Sequence, residues 1–213
     1  MKLLLTSGGL RNPTLVNSLI VLVDKPINTV KIAFIPTAMN TEPGNKNWAI
    51  SQMQQLQDIG IAQLDIVDIS AVPKDIWLPR LQESDVIFVN GGNTTHLMKC
   101  FNESGLTEEL PKLLESRVYV GASAGSYIAT PDTRMNTDNT AKVLPGLHFV
   151  DFGLQAHYKR EDFPFARTFE NVKKRVEGCP YTIYAIDDQV AVQVEGDKSS
   201  IVGDGEYVEF SPS

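Results

Sequence analysis

Five short apolar runs, each closed by a turn and followed by a stretch of helical periodicity, constrain this chain more than any other feature. Leu3 to Thr6 is stopped by Ser7-Gly8-Gly9, Val30 to Ile35 by Pro36, and Asp85 to Asn90 by Gly91-Gly92. Leu64 to Ile69 and the run beginning at Val118 complete the set. Short runs rich in Val, Ile and Leu suit strands buried on both faces of a parallel sheet. Between them, Asn12-Pro13-Thr14 reads as a helix start leading into Leu15 to Val23, with Pro in the first turn. Ala49, Met53, Leu56 and Ile59 recur at three- and four-residue spacing, with Gly60 as a C-terminal cap. Ile76 to Glu83 is expected to be helical, as is Thr95 to Phe101 behind a cap in Asn93-Thr94-Thr95. Leu106, Leu110, Leu113 and Leu114 mark a further amphipathic helix. Strand and helix in alternation, joined by short turns, imply an α/β fold: a doubly wound, mostly parallel sheet with helices on both faces.

Beyond Thr130 the rhythm changes. Pro131 to Thr140 is polar and aperiodic and reads as an excursion over the rim of a site. Leu147 to Ala156 contains two extended pieces ending at His157, and Phe163 to Val176 includes the basic helical stretch Asn171 to Arg175. The C-terminal part reads as a β-hairpin region. Tyr181 to Ile186 is followed by the turn Asp187-Asp188-Gln189, then Val190, Val192 and Val194 in alternation, Ile201-Val202, and Tyr207 to Phe210. No repeat or linker divides the chain, so residues 1–213 are expected to form one domain.

A net charge of -7 argues against a general nucleic-acid binder, which needs clustered Lys and Arg. Cys100 and Cys179, without a CxxC or a neighbouring His, read as two reduced thiols rather than a disulfide framework. The longest apolar stretch, Leu19 to Val23, is far short of a membrane span, and Lys2-Leu3-Leu4-Leu5 is no secretory pattern. The expected location is the cytoplasm. No metal-ligating cluster is visible, and no cofactor is implied.

Chemistry concentrates at the strand ends, where open α/β sheets bind their ligands. Gly121-Ala122-Ser123-Ala124-Gly125 follows the fifth apolar run and opens a helix. That is the strand–turn–helix context of a nucleophile elbow, with Ser123 exposed at its apex. The Ala124 N–H can face a developing oxyanion, and a Gly91 or Gly92 N–H can supply the second donor. A serine nucleophile needs a base, and the chain has three histidines. His157, at a strand end after the rim excursion, is favoured. His96, inside a helix, and His148, in an apolar stretch that reads as core or strand face, are the alternatives. The imidazole needs a carboxylate to fix its tautomer. Asp188, in the turn near the C-terminus, and Asp138, in the polar excursion, compete for that role. Asp187 should point away from Asp188 if strand alternation continues through the turn.

The blocks Gly91-Gly92-Asn93-Thr94 and Gly121-Ala122-Ser123-Ala124-Gly125, about thirty residues apart, resemble those of the peptidase E (aspartyl dipeptidase) family of serine peptidases, to which the cyanophycinases are related. The resemblance runs from the first strand to the Ile186-Asp187-Asp188 turn and implies a class I glutamine amidotransferase-like α/β fold. It implies Ser123 as nucleophile, His157, within Ala156-His157-Tyr158, as catalytic histidine, and Asp188 or Asp138 as the acid. Asp188 is preferred because a defined strand turn holds a carboxylate more rigidly than a polar loop. It further implies an Arg that pairs with the side-chain carboxylate of an N-terminal Asp in a small peptide substrate, a bidentate task suited to a guanidinium. Arg167 lies nearest the matching position, Arg160 is its rival, and Asn93 belongs to the substrate-binding set. The activity implied is hydrolysis of dipeptides with N-terminal Asp through an acyl-enzyme, without cofactor, nucleic acid or membrane, in a chain that can form a homodimer. Alternatives are a hydrolase of β-aspartyl or cyanophycin-type peptides and an inactive small-molecule binding module. Ala122 and Ala156 depart from the family pattern and bear on the aspartyl specificity rather than on the hydrolase chemistry.

Overall fold

A computed structural model describes residues 1–135, 143–161 and 168–212. Its main sheet has seven strands in the order β3-β2-β4-β5-β1-β8-β9. These are β1 (Lys2–Thr6), β2 (Lys31–Ile35), β3 (Gln63–Ile66), β4 (Val86–Val89), β5 (Val118–Ala122), β8 (Val190–Glu195) and β9 (Lys198–Gly203). The first five in chain order are mutually parallel, while β8 runs antiparallel to β1 and β9 antiparallel to β8. A second sheet, in the order β10-β7-β6, holds β6 (Gly153–Gln155), β7 (Ile183–Ile186) and β10 (Tyr207–Phe210).

The described elements further include seven α-helices, α1 (Pro13–Val23), α2 (Asn47–Asp58), α3 (Lys74–Glu83), α4 (Thr94–Ser104), α5 (Leu106–Leu113), α6 (Ala124–Tyr127) and α7 (Phe169–Val176), and two short 3₁₀ turns at Ile27–Thr29 and Thr37–Met39. Alternate residues of the central strands enter two separate cores. Leu4, Ile32, Phe34, Phe88 and Val120 pack with Leu15, Leu19 and Leu22 of α1 and Leu56 of α2. Leu3, Leu5, Ile87, Val89 and Tyr119 face the other way, toward Trp77 of α3, Phe101 of α4 and Leu110 of α5. The second sheet adds Leu154, Ile183 and Ala185 to that second core. Because both faces are covered, β4 and β5 are buried along their whole length, and this is why their sequences show no polar alternation.

The helix signals read from the sequence are realised in side-chain geometry. Asn12 Oδ1 accepts from Leu15 N at 2.9 Å, and Asn93 Oδ1 accepts from His96 N at 2.8 Å. Gly60 takes φ +81 just beyond α2. Two expectations need correction. The β-rich tail is not one hairpin region: β7 joins the small sheet while β8 crosses to β1, leaving only β8–β9 as a hairpin. The turn 187–189 is therefore a passage between two sheets, and simple alternation in β7 and β8 suits membership of either sheet equally well. Of the two extended pieces expected in Leu147 to Ala156, only Gly153–Gln155 pairs as a strand. The residues flanking the expected rim excursion are held together by hydrogen bonds. Thr133 N donates to Leu144 O at 2.9 Å, Leu144 N donates to Thr133 Oγ1 at 2.9 Å, and Asp132 bridges Pro145.

Candidate active site

Three strand ends lie side by side. Thr6 is in register with Ala122, and Val89 with Gly121, so β4, β5 and β1 deliver Gly91-Gly92, Ser123 and Ser7-Gly8 to one edge of the sheet. Ser123 takes φ 50 and ψ -107. A non-glycine residue there stores strain of about 1–3 kcal/mol and persists only when its surroundings over-determine it. They do. Ser123 N donates to Thr6 O at 3.0 Å, and Ser123 O accepts from both Ser126 N and Tyr127 N at 2.9 Å. Ser126 Oγ donates to Thr6 O at 2.7 Å, and Tyr119 Oη donates to Gly125 O at 2.5 Å. The turn fits only because residue 125 lacks a side chain: a Cβ there would stand 2.1 Å from the Val89 carbonyl oxygen. Ser123 is half-buried among fully buried neighbours, so it is the residue of the turn that reaches the surface.

The backbone donors around the serine are not equivalent. Gly91 N–H is already given to Asn90 Oδ1 at 2.8 Å. Among the described residues, neither Gly92 N–H nor Ala124 N–H has a hydrogen-bond partner. Of the two glycines expected as donors, Gly92 is thus the one with an available N–H. Gly91 instead supplies closeness: a Cβ on it would lie 3.2 Å from Ser123 Cβ. Gly92 has φ +133, and a Cβ there would meet Ala38 O at 2.3 Å, so no other residue fits this turn.

His157 and Asp188 come together from distant parts of the chain. His157 Nδ1 and Asp188 Oδ1 are 2.6 Å apart, and Arg160 Nη1 donates to Asp188 Oδ2 at 2.7 Å. A carboxylate can only accept, which assigns the proton to Nδ1 and leaves Nε2 as the basic nitrogen of the neutral ring. Burial works to raise the Asp188 carboxyl, but the hydrogen bonds and charges of His157 and Arg160 outweigh it and hold the group down at about 2. Asp187 points elsewhere, as alternation predicts, accepting from Gln189 N at 2.8 Å and Glu206 N at 2.7 Å.

Other expected site residues fare differently. Asp138 and Arg167 lie outside the described residues. Arg160, offered as a reader of the substrate carboxylate, sits on the Asp188 carboxylate. Asn93 spends its side-chain oxygen on the cap of α4. His148 is not a core residue: it stands exposed at φ 54 with Nε2 3.0 Å from Asp151 Oδ1. The apolar neighbours that suggested burial, Val150 and Phe152, turn inward while its own backbone turns out. His96 lies on α4 with its ring against Cys100, Nε2 to Sγ 3.6 Å.

Several residues around the site escaped the sequence reading. Ser7 Oγ donates to Ile186 O at 2.9 Å and accepts from His157 N at 3.0 Å. Tyr127 Oη accepts from Ala156 N and from Gln155 Nε2, both at 3.2 Å. In sequence Ser7 stands out only as part of a glycine-containing strand end, and no local pattern distinguishes such tethers from ordinary buried polar residues.

Fold and site define a doubly wound α/β protein in which a strained serine elbow and a carboxylate-held imidazole are both bonded to the end of β1. The chain belongs to peptidase family S51, whose model matches residues 3–202. It is 30% identical over 135 residues to peptidase E of Streptomyces coelicolor, covering 60% of this chain and 56% of that one. It is likewise 30% identical over 135 residues to a Drosophila melanogaster protein named as a probable alpha-aspartyl dipeptidase, covering 58% of this chain and 55% of that one. The matched part thus spans little more than half the length of these relatives. A crystal structure from Listeria monocytogenes assigned to peptidase E superimposes with a TM-score of 0.75 at 22% identity, over 94% of this chain and 96% of the other. That likeness concerns the fold.

Proposed function

We propose that this chain is a serine peptidase acting on short peptides, with Ser123 as nucleophile, His157 as base and Asp188 as the orienting acid. The observation that carries this reading is the His157–Asp188 pair, 2.6 Å apart, at the same sheet edge as a serine forced to φ 50. In the mechanism, Ser123 Oγ attacks the scissile carbonyl while His157 Nε2 takes its proton. Asp188 keeps the Nδ1 proton in position and steadies the imidazolium as it forms. The N–H groups of Ala124 and Gly92 receive the developing oxyanion. Collapse of the tetrahedral intermediate passes the proton from Nε2 to the leaving amine, and water then enters by the same route in reverse to release the acyl group.

Dipeptides with an N-terminal Asp are the substrates we favour, on the strength of the family and of the dipeptidase name carried by the Drosophila relative. With Arg160 engaged by Asp188, Arg167 is the better candidate to pair with the substrate carboxylate. The test compares hydrolysis of Asp-x dipeptides and β-aspartyl dipeptides by the wild type and by Ser123→Ala. The expected outcome is turnover of the α-linked series only, lowered in Ser123→Ala by several orders of magnitude, together with a stoichiometric fluorophosphonate adduct on Ser123. Equal rates in the two proteins would discard the mechanism, and turnover confined to β-aspartyl peptides would discard the substrate.

A further inference from the structure

The N-terminal strand contributes none of the three residues assigned to proton transfer, yet its end touches every segment that carries them. Thr6 O accepts from Ser123 N at 3.0 Å. The next residue, Ser7, is 1% exposed and uses its hydroxyl twice. Its proton goes to Ile186 O at 2.9 Å, two residues before Asp188, and its lone pair receives the backbone N–H of His157 at 3.0 Å. Gly8 then packs against the acid, so that a Cβ on it would lie 3.3 Å from Asp188 Cγ. Thr6 is itself pinned, with Oγ1 donating to Gly121 O at 2.8 Å and accepting from Gly9 N at 3.0 Å. The end of β1 is therefore a fixed reference point for the elbow.

The polarity of the Ser7 bridge is unambiguous. A carbonyl only accepts and an amide N–H only donates, so the hydroxyl has one orientation that serves both. The residue it holds is one that needs holding. His157 has φ 59, in the left-handed region that disfavours residues with a Cβ, and it belongs to no strand or helix that would fix it. Ile186 O also accepts from Tyr158 N at 2.9 Å, so His157-Tyr158 is clipped to the end of β7 by one hydroxyl and one carbonyl.

We propose that Ser7 is a positioning residue for His157: through its single hydroxyl it sets the imidazole, and the Asp188 strand with it, at the correct place relative to Ser123. This rests on the triad reading given above. Ser7 touches neither substrate nor the reacting atoms, and it acts only through His157. Displacing a catalytic group by about 1 Å can cost on the order of 10²-fold in rate.

The test uses the full chain and a small fluorophosphonate, whose rate of reaction with Ser123 reports activation of the nucleophile irrespective of peptide specificity. Ser7→Ala is expected to slow labelling by about 10- to 100-fold, with Ser7→Thr, which keeps the hydroxyl, within a few-fold of wild type. Labelling is expressed per folded molecule, so a loss of stability alone leaves the rate unchanged. In a His157→Ala background, adding Ser7→Ala should cause no further loss, because the two act as one unit. Wild-type labelling by Ser7→Ala, or a multiplied loss in the double variant, overturns the proposal while leaving the triad intact. Labelling that is insensitive to His157→Ala overturns the triad reading instead. Should Ser7→Ala fail to fold, Ser7→Cys keeps the volume with a poor donor and acceptor. An intermediate rate then supports the role, and a wild-type rate overturns it.

Discussion

At the residue scale, Asp188 shows how tertiary partners reverse what burial alone would do. A half-enclosed carboxylate in a protein interior is ordinarily harder to ionise, but the His157 and Arg160 bonds reverse the sign and hold it at about 2. Its folded-state pKa lies below the ordinary carboxylate range, so its stabilising contribution is present above pH about 4 and is lost as pH falls through about 2. That contribution amounts to about 1–2 kcal/mol at neutral pH once solvent screening is allowed for. Asp188→Asn should therefore lower the urea midpoint at pH 7, and the gap between variant and wild type should narrow as pH is brought from 4 to 2. A gap that widens on acidification contradicts the assignment. The same variant is expected to retain the fold and lose about 10³–10⁴ in kcat, because an Asn side chain no longer selects the Nδ1–H tautomer.

Elements meet at the elbow, where β5 ends and α6 begins. The two glycines of Gly121-Ala122-Ser123-Ala124-Gly125 announce a tight turn in sequence, but the reason for the second lies in a different strand. The Val89 carbonyl of β4 comes so close to residue 125 that a methyl group cannot be accommodated without moving backbone. Gly125→Ala is expected to cost about 3 kcal/mol or more, read from the urea midpoint, and to slow fluorophosphonate labelling by relaxing Ser123 from φ 50. A variant with wild-type stability and labelling would show that β4 yields easily at this point. Asn93 makes a related point. A Gly-Gly-Asn-Thr block invites a role in substrate binding for its Asn, whereas the structure uses that side chain's oxygen to start α4. A helix cap and a ligand contact look alike in sequence because Asn serves both with the same polar atoms.

On the scale of the whole molecule, the central strands are shared by two cores, so damage to one strand propagates to both faces. Leu4 is fully buried in the middle of β1, between β5 and β8, and its side chain packs with that of Leu15, Leu19 and Leu22. Leu4→Ala is expected to cost about 2–5 kcal/mol, a large part of the about 5–15 kcal/mol typical of a folded domain. The measurement is denaturant unfolding, with a shift of the entire transition rather than a new early phase. The small sheet, which carries the His157 segment on β6 and the Asp188 turn on β7, shares one of these cores with α3, α4 and α5. The parts that approach Ser123 from the C-terminal half are thereby built into the same packing as the parallel sheet.

The amino-acid sequence by itself determined the winding of the first 130 residues, because buried parallel strands and amphipathic helices write their periodicity into local composition. It placed Ser123 at the apex of a strand-to-helix turn as well, since a strand–turn–helix of small residues around a serine is a local pattern. His157 and Asp188 were legible as candidates from their positions at strand ends, and their distance of 2.6 Å was not. Thirty-one residues separate them, and nothing in composition says that the strand after Asp188 leaves the small sheet to pair with β1. Tertiary structure alone decided that partition. It also decided that the N–H of Gly91 is given to Asn90 while that of Gly92 has no partner among the described residues, that Arg160 engages Asp188, and that the Ser7 hydroxyl bridges two segments. Each of these depends on which polar groups meet, and which remain unpaired, once distant strands have come together, and a hydrogen-bond balance of that kind exists only in the folded chain.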